Sequence, residues 1–339
     1  MNDEPITTPE QATATPSTER RFPVGTQLTL LAGFLLFLFA AAGGSVSQFV
    51  TSLRSDEPES TTDAASTVVA LSELDAMPYA IVSDVPLIAD AALVWDVVGE
   101  QVLFEKNADQ VLPLASVTKL MTALVAYELV AENTTVTIPG KAAAQESASG
   151  LRPGERFTQA QLVDLALINS ANDAAYALAN AVGSVLGPTD ATAQFVAAMN
   201  VRAEELGLQT LQFRNTTGLD LSANEPGAVG SARDVSQLMA FLVSTYPDLL
   251  KSTTKDVIRV YNAEGDFHDA NNTNPLVHEI PNLLGSKTGY TDLAGGNLTI
   301  AFDAGYNRPV IVTVLSSSRQ GRFADVAALI EAVRTGSID

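Results

Sequence analysis

The chain has 339 residues, 46% of them hydrophobic, enough to bury a substantial core and to exclude disorder throughout. Its 39 acidic against 19 basic residues give a formal charge of -20, which repels polyanions and argues against nucleic acid as a partner. Cysteine is absent, so disulfides, thiol nucleophiles and cysteine metal sites are excluded.

In chain order, residues 1–21 are polar and rich in Thr, Pro and Glu, and read as a disordered tail. No charged residue occurs from Phe22 to Leu53, and the run is densely apolar from Leu28 to Ala42, long enough to cross a bilayer. Residues 22–50 are therefore expected to form a membrane anchor. Arg20 and Arg21 precede it, whereas Arg54 beyond it is followed by Asp56, Glu57 and Glu59; this bias keeps the tail cytoplasmic and places everything downstream outside a cell membrane. Ala40-Ala41-Ala42 offers the alternative of a cleaved signal peptide and secretion. Residues 51–75, rich in Ser, Thr, Asp and Glu, read as a linker, and residues 76–339 as one folded domain without internal repeats.

That domain opens with a predicted hairpin, residues 91–95 and 101–104, around Gly99. Helical patterns follow at 118–130, 161–168, 174–182 and 192–206, then strands at 283–290, 297–302 and 309–315 and a last helix at 323–333. Strands at both ends with helices between them predict an α+β fold whose mainly antiparallel sheet is assembled from the two chain ends and covered by the last helix.

Three strings carry the chemistry: Ser116-Val117-Thr118-Lys119, Ser170-Ala171-Asn172 and Lys287-Thr288-Gly289. Ser116 opens a helical run, where unpaired N–H groups favour negative charge, and Lys119, three residues on, shares its helix face. A lysine can activate that hydroxyl only if burial and nearby positive charge make it shed its proton, and Lys287 is a source of such charge. Ser170 and Asn172 fall in a break between helices, suited to a proton-shuttling hydroxyl and an amide that holds a substrate backbone. In the third string, strand alternation sends Lys287 and Gly289 to one face and Thr288 to the other. The bare Gly289 admits a peptide to the strand edge, while Lys287 and Thr288 engage its terminal carboxylate. The N–H groups of Ser116 and Tyr290 are the expected oxyanion donors.

Each string has a plainer meaning when taken alone: a helix cap for Ser116 or Ser170, a solvated edge charge for Lys287. His268 and His278 are the only histidines, and neither has the setting of a Ser-His-Asp triad or a metal site.

The residues resemble the D-alanyl-D-alanine carboxypeptidase family, the low-molecular-mass penicillin-binding proteins, over about residues 86–332. Besides the three strings, the resemblance extends to Phe213-Arg214-Asn215-Thr216-Thr217-Gly218-Leu219-Asp220 and to Gly285-Ser286 before and Tyr290-Thr291 after the third string. It implies a β-lactamase/transpeptidase-like fold with a five-stranded sheet and an all-helical subdomain, without metal or organic cofactor. It further implies that Ser116 forms an acyl-enzyme, Lys119 is the base, Ser170 relays protons, Asn172 positions substrate, and Lys287 and Thr288, with Arg322 nearby, hold a D-alanine carboxylate. The expected activity is removal of the terminal D-alanine from peptidoglycan stem pentapeptides, with β-lactams as covalent inhibitors. Cleavage of cross-links by the same site is the alternative, and a wall-binding protein with a dead site is a different class that the intact motifs disfavour. A β-lactamase is less well supported, because no Glu-x-x-x-Asn element lies between the second and third strings. Since the chain ends soon after the last helix, the extra C-terminal β-domain of some relatives is expected to be missing and anchoring to lie at the N-terminus.

Overall fold

The computed structural model describes residues 85–187 and 189–335; the expected tail, anchor and linker lie outside them. Among the described residues no helix is long and apolar enough to cross a membrane.

Strands β1 (Ala91–Asp96) and β2 (Gln101–Lys106) form the early hairpin. Strands β3 (Leu283–Thr291), β4 (Gly295–Asp303) and β5 (Pro309–Ser317) come from the far end of the chain. They make one five-stranded sheet in the order β3-β4-β5-β1-β2, antiparallel throughout. The seam between the two chain ends is β1 against β5, in register from Ala91 opposite Leu315 to Asp96 opposite Val310. This is the architecture expected from the residues.

Period-2 alternation divides the sheet's side chains between two cores. Val94, Ile300 and Val312 meet Val326 and Leu329 of the last helix, α6 (Gly321–Thr335). On the opposite face, Leu93, Ala301 and Ile311 join the larger core that the remaining helices build. The longer of these are α1 (Lys119–Leu129), α2 (Gln159–Ile168), α3 (Asn172–Leu186), α4 (Ala191–Glu205) and α5 (Ala232–Thr245), and the one-turn helix Gly140–Ala143 adds Ala142 to the same core. Helix α1 is buried continuously from Lys119 to Ala126, which makes it the central rod of the domain.

Local chemistry explains several boundaries. Helix α2 starts two residues before its apolar period because Thr158 and Gln161 form a capping box. The expected helix start at Thr118 shifts to Lys119, since Ala115–Thr118 form a 3-10 turn. Helix α5, whose N-terminus is capped by Ser231, and the hairpin Val257–Tyr261 with Phe267–Asn271 were not singled out from the sequence.

Candidate active site

The turn that carries Ser116 is tightly constrained. Ala115 holds a positive φ of 47°, and Thr118 Oγ1 donates to its carbonyl at 2.7 Å. A Cβ on Gly218 would fall 1.8 Å from that same carbonyl oxygen, so only glycine lets the 215–220 segment close over the turn. Ser116 is half-buried, at the mouth of the turn, rather than the first residue of the α-helix.

Lys119, the first residue of α1, is fully buried, with Nζ 2.7 Å from Ser116 Oγ. The same nitrogen donates to the carbonyl of Thr217 at 2.8 Å, and Thr122, one turn on, donates to the carbonyl of Thr216. Asn215 shapes this segment by accepting from Gly218 N–H and donating to the carbonyl of Leu219. The string 213–220, noticed only through its resemblance, therefore supplies the backbone seat of the lysine. Burial pushes the Lys119 amine well below its ordinary value; the charge of Lys287 adds to this, and Asp173 opposes it.

Ser170 lies between α2 and α3 with a φ of 61°. Lys287, buried in β3, donates to Ser170 Oγ and to the carbonyl of Thr288, each at 2.9 Å. Burial and then the neighbouring Arg322 lower the Lys287 amine to about 7. The second and third strings thus meet through the bond from Lys287 to Ser170, and the first lies against the third, where a Cβ on Gly289 would fall 3.2 Å from Ser116 N.

Asn172, the first residue of α3, donates to the carbonyl of Glu146 at 2.7 Å, while its amide oxygen is buried without a partner. Asp173, absent from the sequence reading as a site residue, is fully buried. It accepts from the N–H groups of Ser149, Gly150, Leu151 and Ala174 and from the Ser149 hydroxyl. It pins the 146–151 segment as one wall beside Asn172.

Strand β3 supplies the other wall. A Cβ on Gly289 would lie 2.9 Å from the Leu114 carbonyl oxygen and 3.2 Å from Ser116 N. Besides the room expected for a substrate backbone, the bare glycine leaves room for the turn that carries Ser116. Thr288 sits on the alternate face, its hydroxyl 2.6 Å from that of Thr273. Tyr290 is 39% exposed and stacks with Arg319, 5.0 Å from the ring centre. It borders a cavity of about 640 Å³ lined also by Glu146, Leu219 and Asp220. Arg322 is buried, its guanidinium donating to the carbonyl of Gly289, with Nε unpartnered. Burial and then Arg319 lower its pKa to about 10.

The histidines are engaged elsewhere, His268 with Glu155 and His278 with Asp256. Among the described residues no cluster of three or more His, Asp or Glu side chains is placed to hold a metal.

Residues 80–319 match the family described as D-alanyl-D-alanine carboxypeptidase. The D-alanyl-D-alanine carboxypeptidase DacF of Bacillus subtilis is 32% identical over 240 residues, which cover 68% of this chain but 58% of that protein. A D-alanyl-D-alanine endopeptidase of Pseudomonas aeruginosa is 30% identical over 257 residues, covering 74% of this chain and 79% of its own. Among solved structures, an ampicillin-bound penicillin-binding protein of Listeria monocytogenes matches with a TM-score of 0.63 at 30% identity, over 74% of this chain and 98% of that one.

Proposed function

This chain belongs to the D-alanyl-D-alanine carboxypeptidase family, and we propose that it removes the terminal D-alanine from peptidoglycan stem pentapeptides through an ester on Ser116. The observation that carries this reading is a fully buried amine, depressed in pKa, 2.7 Å from a half-buried serine hydroxyl.

With Lys119 neutral, the Ser116 hydroxyl donates to Nζ and gives up its proton as Oγ attacks the carbonyl between the two D-alanines. Negative charge grows on the carbonyl oxygen, where the N–H groups of Ser116 and Tyr290 stabilise it. Strand alternation supports the second donor: the Thr288 carbonyl faces Lys287 Nζ rather than the sheet, and Tyr290, two residues on, presents its N–H along the same edge. Ser170, bonded to Lys287, relays the proton that Lys119 has taken to the departing amine, so D-alanine leaves and Lys119 is neutral again. Water, deprotonated by Lys119, then cleaves the ester and restores the Ser116 hydroxyl. Throughout, charged Lys287 and the Thr288 hydroxyl hold the terminal carboxylate, and Asn172 holds the peptide on the opposite wall.

The membrane segment expected at 22–50 would tether this domain on the outer side of the cell membrane, next to the wall. β-Lactams would acylate Ser116 and leave slowly. The Pseudomonas relative favours a second reading, cleavage of cross-linked stems by the same chemistry.

Peptide mass mapping after penicillin treatment should place one adduct on Ser116, and Ser116→Ala should carry none. Loss of one alanine from a pentapeptide is the expected product. Release of monomers from a cross-linked dimer with the pentapeptide left intact would favour the endopeptidase reading instead.

A further inference from the structure

The Thr288 hydroxyl has a single proton, and its use as a carboxylate donor depends on where that proton points. Its nearest hydroxyl is that of Thr273, 2.6 Å away, a geometry in which either oxygen can be the donor. If Thr288 donates to Thr273, it has no proton left for a ligand. If Thr273 donates, the Thr288 proton is free to turn toward an anion.

Thr273 is held by more than this contact. Its N–H donates to the carbonyl of Ile168 at 3.0 Å. Ile168 ends α2, where carbonyls lack helical partners, just before the turn that carries Ser170. The Thr273 hydroxyl is 3.4 Å from the same carbonyl, a far weaker alternative acceptor than Thr288. Asn272, its neighbour, donates to the carbonyls of Thr253 and Lys255, which fixes the base of the hairpin from which Thr273 projects. The oxygen of Thr273 is thus set against Thr288 by backbone on both sides.

We propose that Thr273 is a positioning and specificity residue that donates to Thr288 and so orients the Thr288 proton toward the substrate's terminal carboxylate. An arriving carboxylate aligns the two hydroxyls into a chain, Thr273 to Thr288 to anion, in which each bond polarises the next. A neutral C-terminal amide gains little from that alignment, so Thr273 sharpens the preference for a free carboxylate. The assignment rests on the carboxypeptidase reading of the site.

The test compares Thr273→Val, which keeps shape but removes the hydroxyl, with Thr273→Ser, which keeps the hydroxyl. Substrates are an acylated D-alanyl-D-alanine peptide and its C-terminal amide, and Ser116 labelling by a fluorescent penicillin reports the nucleophile. Thr273→Val should lower kcat/KM for the free acid about tenfold, mainly through KM, and leave the amide nearly unchanged. Thr273→Ser should restore the free-acid value. In a Thr288→Val background the Thr273 change should have no further effect on the free acid. Equal loss on both substrates, or none on either, with Ser116 labelled normally, overturns the role of Thr273 alone. A wild-type protein that penicillin does not label overturns the enzymatic reading together with it.

Discussion

Lys287 Nζ lies 2.9 Å from Ser170 Oγ, across 117 residues of chain. The contact joins the edge strand to the break between two helices, and it fixes a positive charge where it acts on Lys119. On the proposed mechanism, a base that must be neutral and a cation that must stay charged therefore share one buried space. Their titrations are linked, and the pH dependence of the site is a property of the pair.

Acylation should accordingly be bell-shaped in pH. It rises as Lys119 loses its proton, below the ordinary lysine range, and falls as Lys287 loses its own near pH 7 in the free enzyme. Arg322→Gln removes a positive neighbour of Lys287, which favours the protonated amine, so the falling limb should move to higher pH. The second-order rate of penicillin labelling against pH checks this; a limb that stays in place counts against the coupling.

Stability should carry the same signature. The folded state lowers the Lys287 pKa to about 7 from an ordinary 10.5, so between these values the unfolded chain binds more protons. By linkage this group makes stability rise with pH across that window, and at lower pH the fold bears the full cost of a buried charge. Lys287→Met should be more stable than wild type at neutral pH and should lose that part of the slope. Urea unfolding at pH values spanning the window reads both effects.

Gly289→Ala tests the close passage of β3 beneath the nucleophile turn. The new Cβ would press on the Leu114 carbonyl and on Ser116 N, neither of which is a flexible side-chain tip. Displacement of the turn should slow penicillin acylation by about a hundredfold, at a stability loss of about 1–3 kcal/mol. Stopped-flow labelling beside a thermal melt separates the two.

Asp173→Asn replaces an all-acceptor group that receives four N–H donors with one that must turn its own N–H₂ toward some of them. The expected loss is about 3 kcal/mol, accompanied by loosening of the 146–151 wall. Urea titration measures the first, and faster amide exchange at Ser149 to Leu151 the second.

Much of this site was legible along the chain. The order of the three strings and the helix and strand patterns around them sufficed to name Ser116, Lys119, Ser170, Asn172 and Lys287, because each sits in a short local pattern. The partners of those residues were not legible. Thr217 and Thr216 act through backbone carbonyls, which every residue possesses and which therefore leave no mark of composition. Asp173 and Thr273 act through contacts with segments far away in the chain, which no local pattern marks. The closeness of Gly289 to the turn that carries Ser116 was not legible either.

The division follows from the range of the forces involved. Hydrophobic period, capping boxes and the spacing of a nucleophile from its base act within one or two turns of chain, so the residues by themselves determined most of the elements, the joining of the two chain ends in one sheet and the candidate reactive groups. The depressed pKa of Lys119, the bond from Lys287 to Ser170 and the seating of Ser116 against Gly218 and Gly289 depend on burial and on charges far apart in the chain. Only tertiary packing sets those, because water screens them until the domain has closed around them.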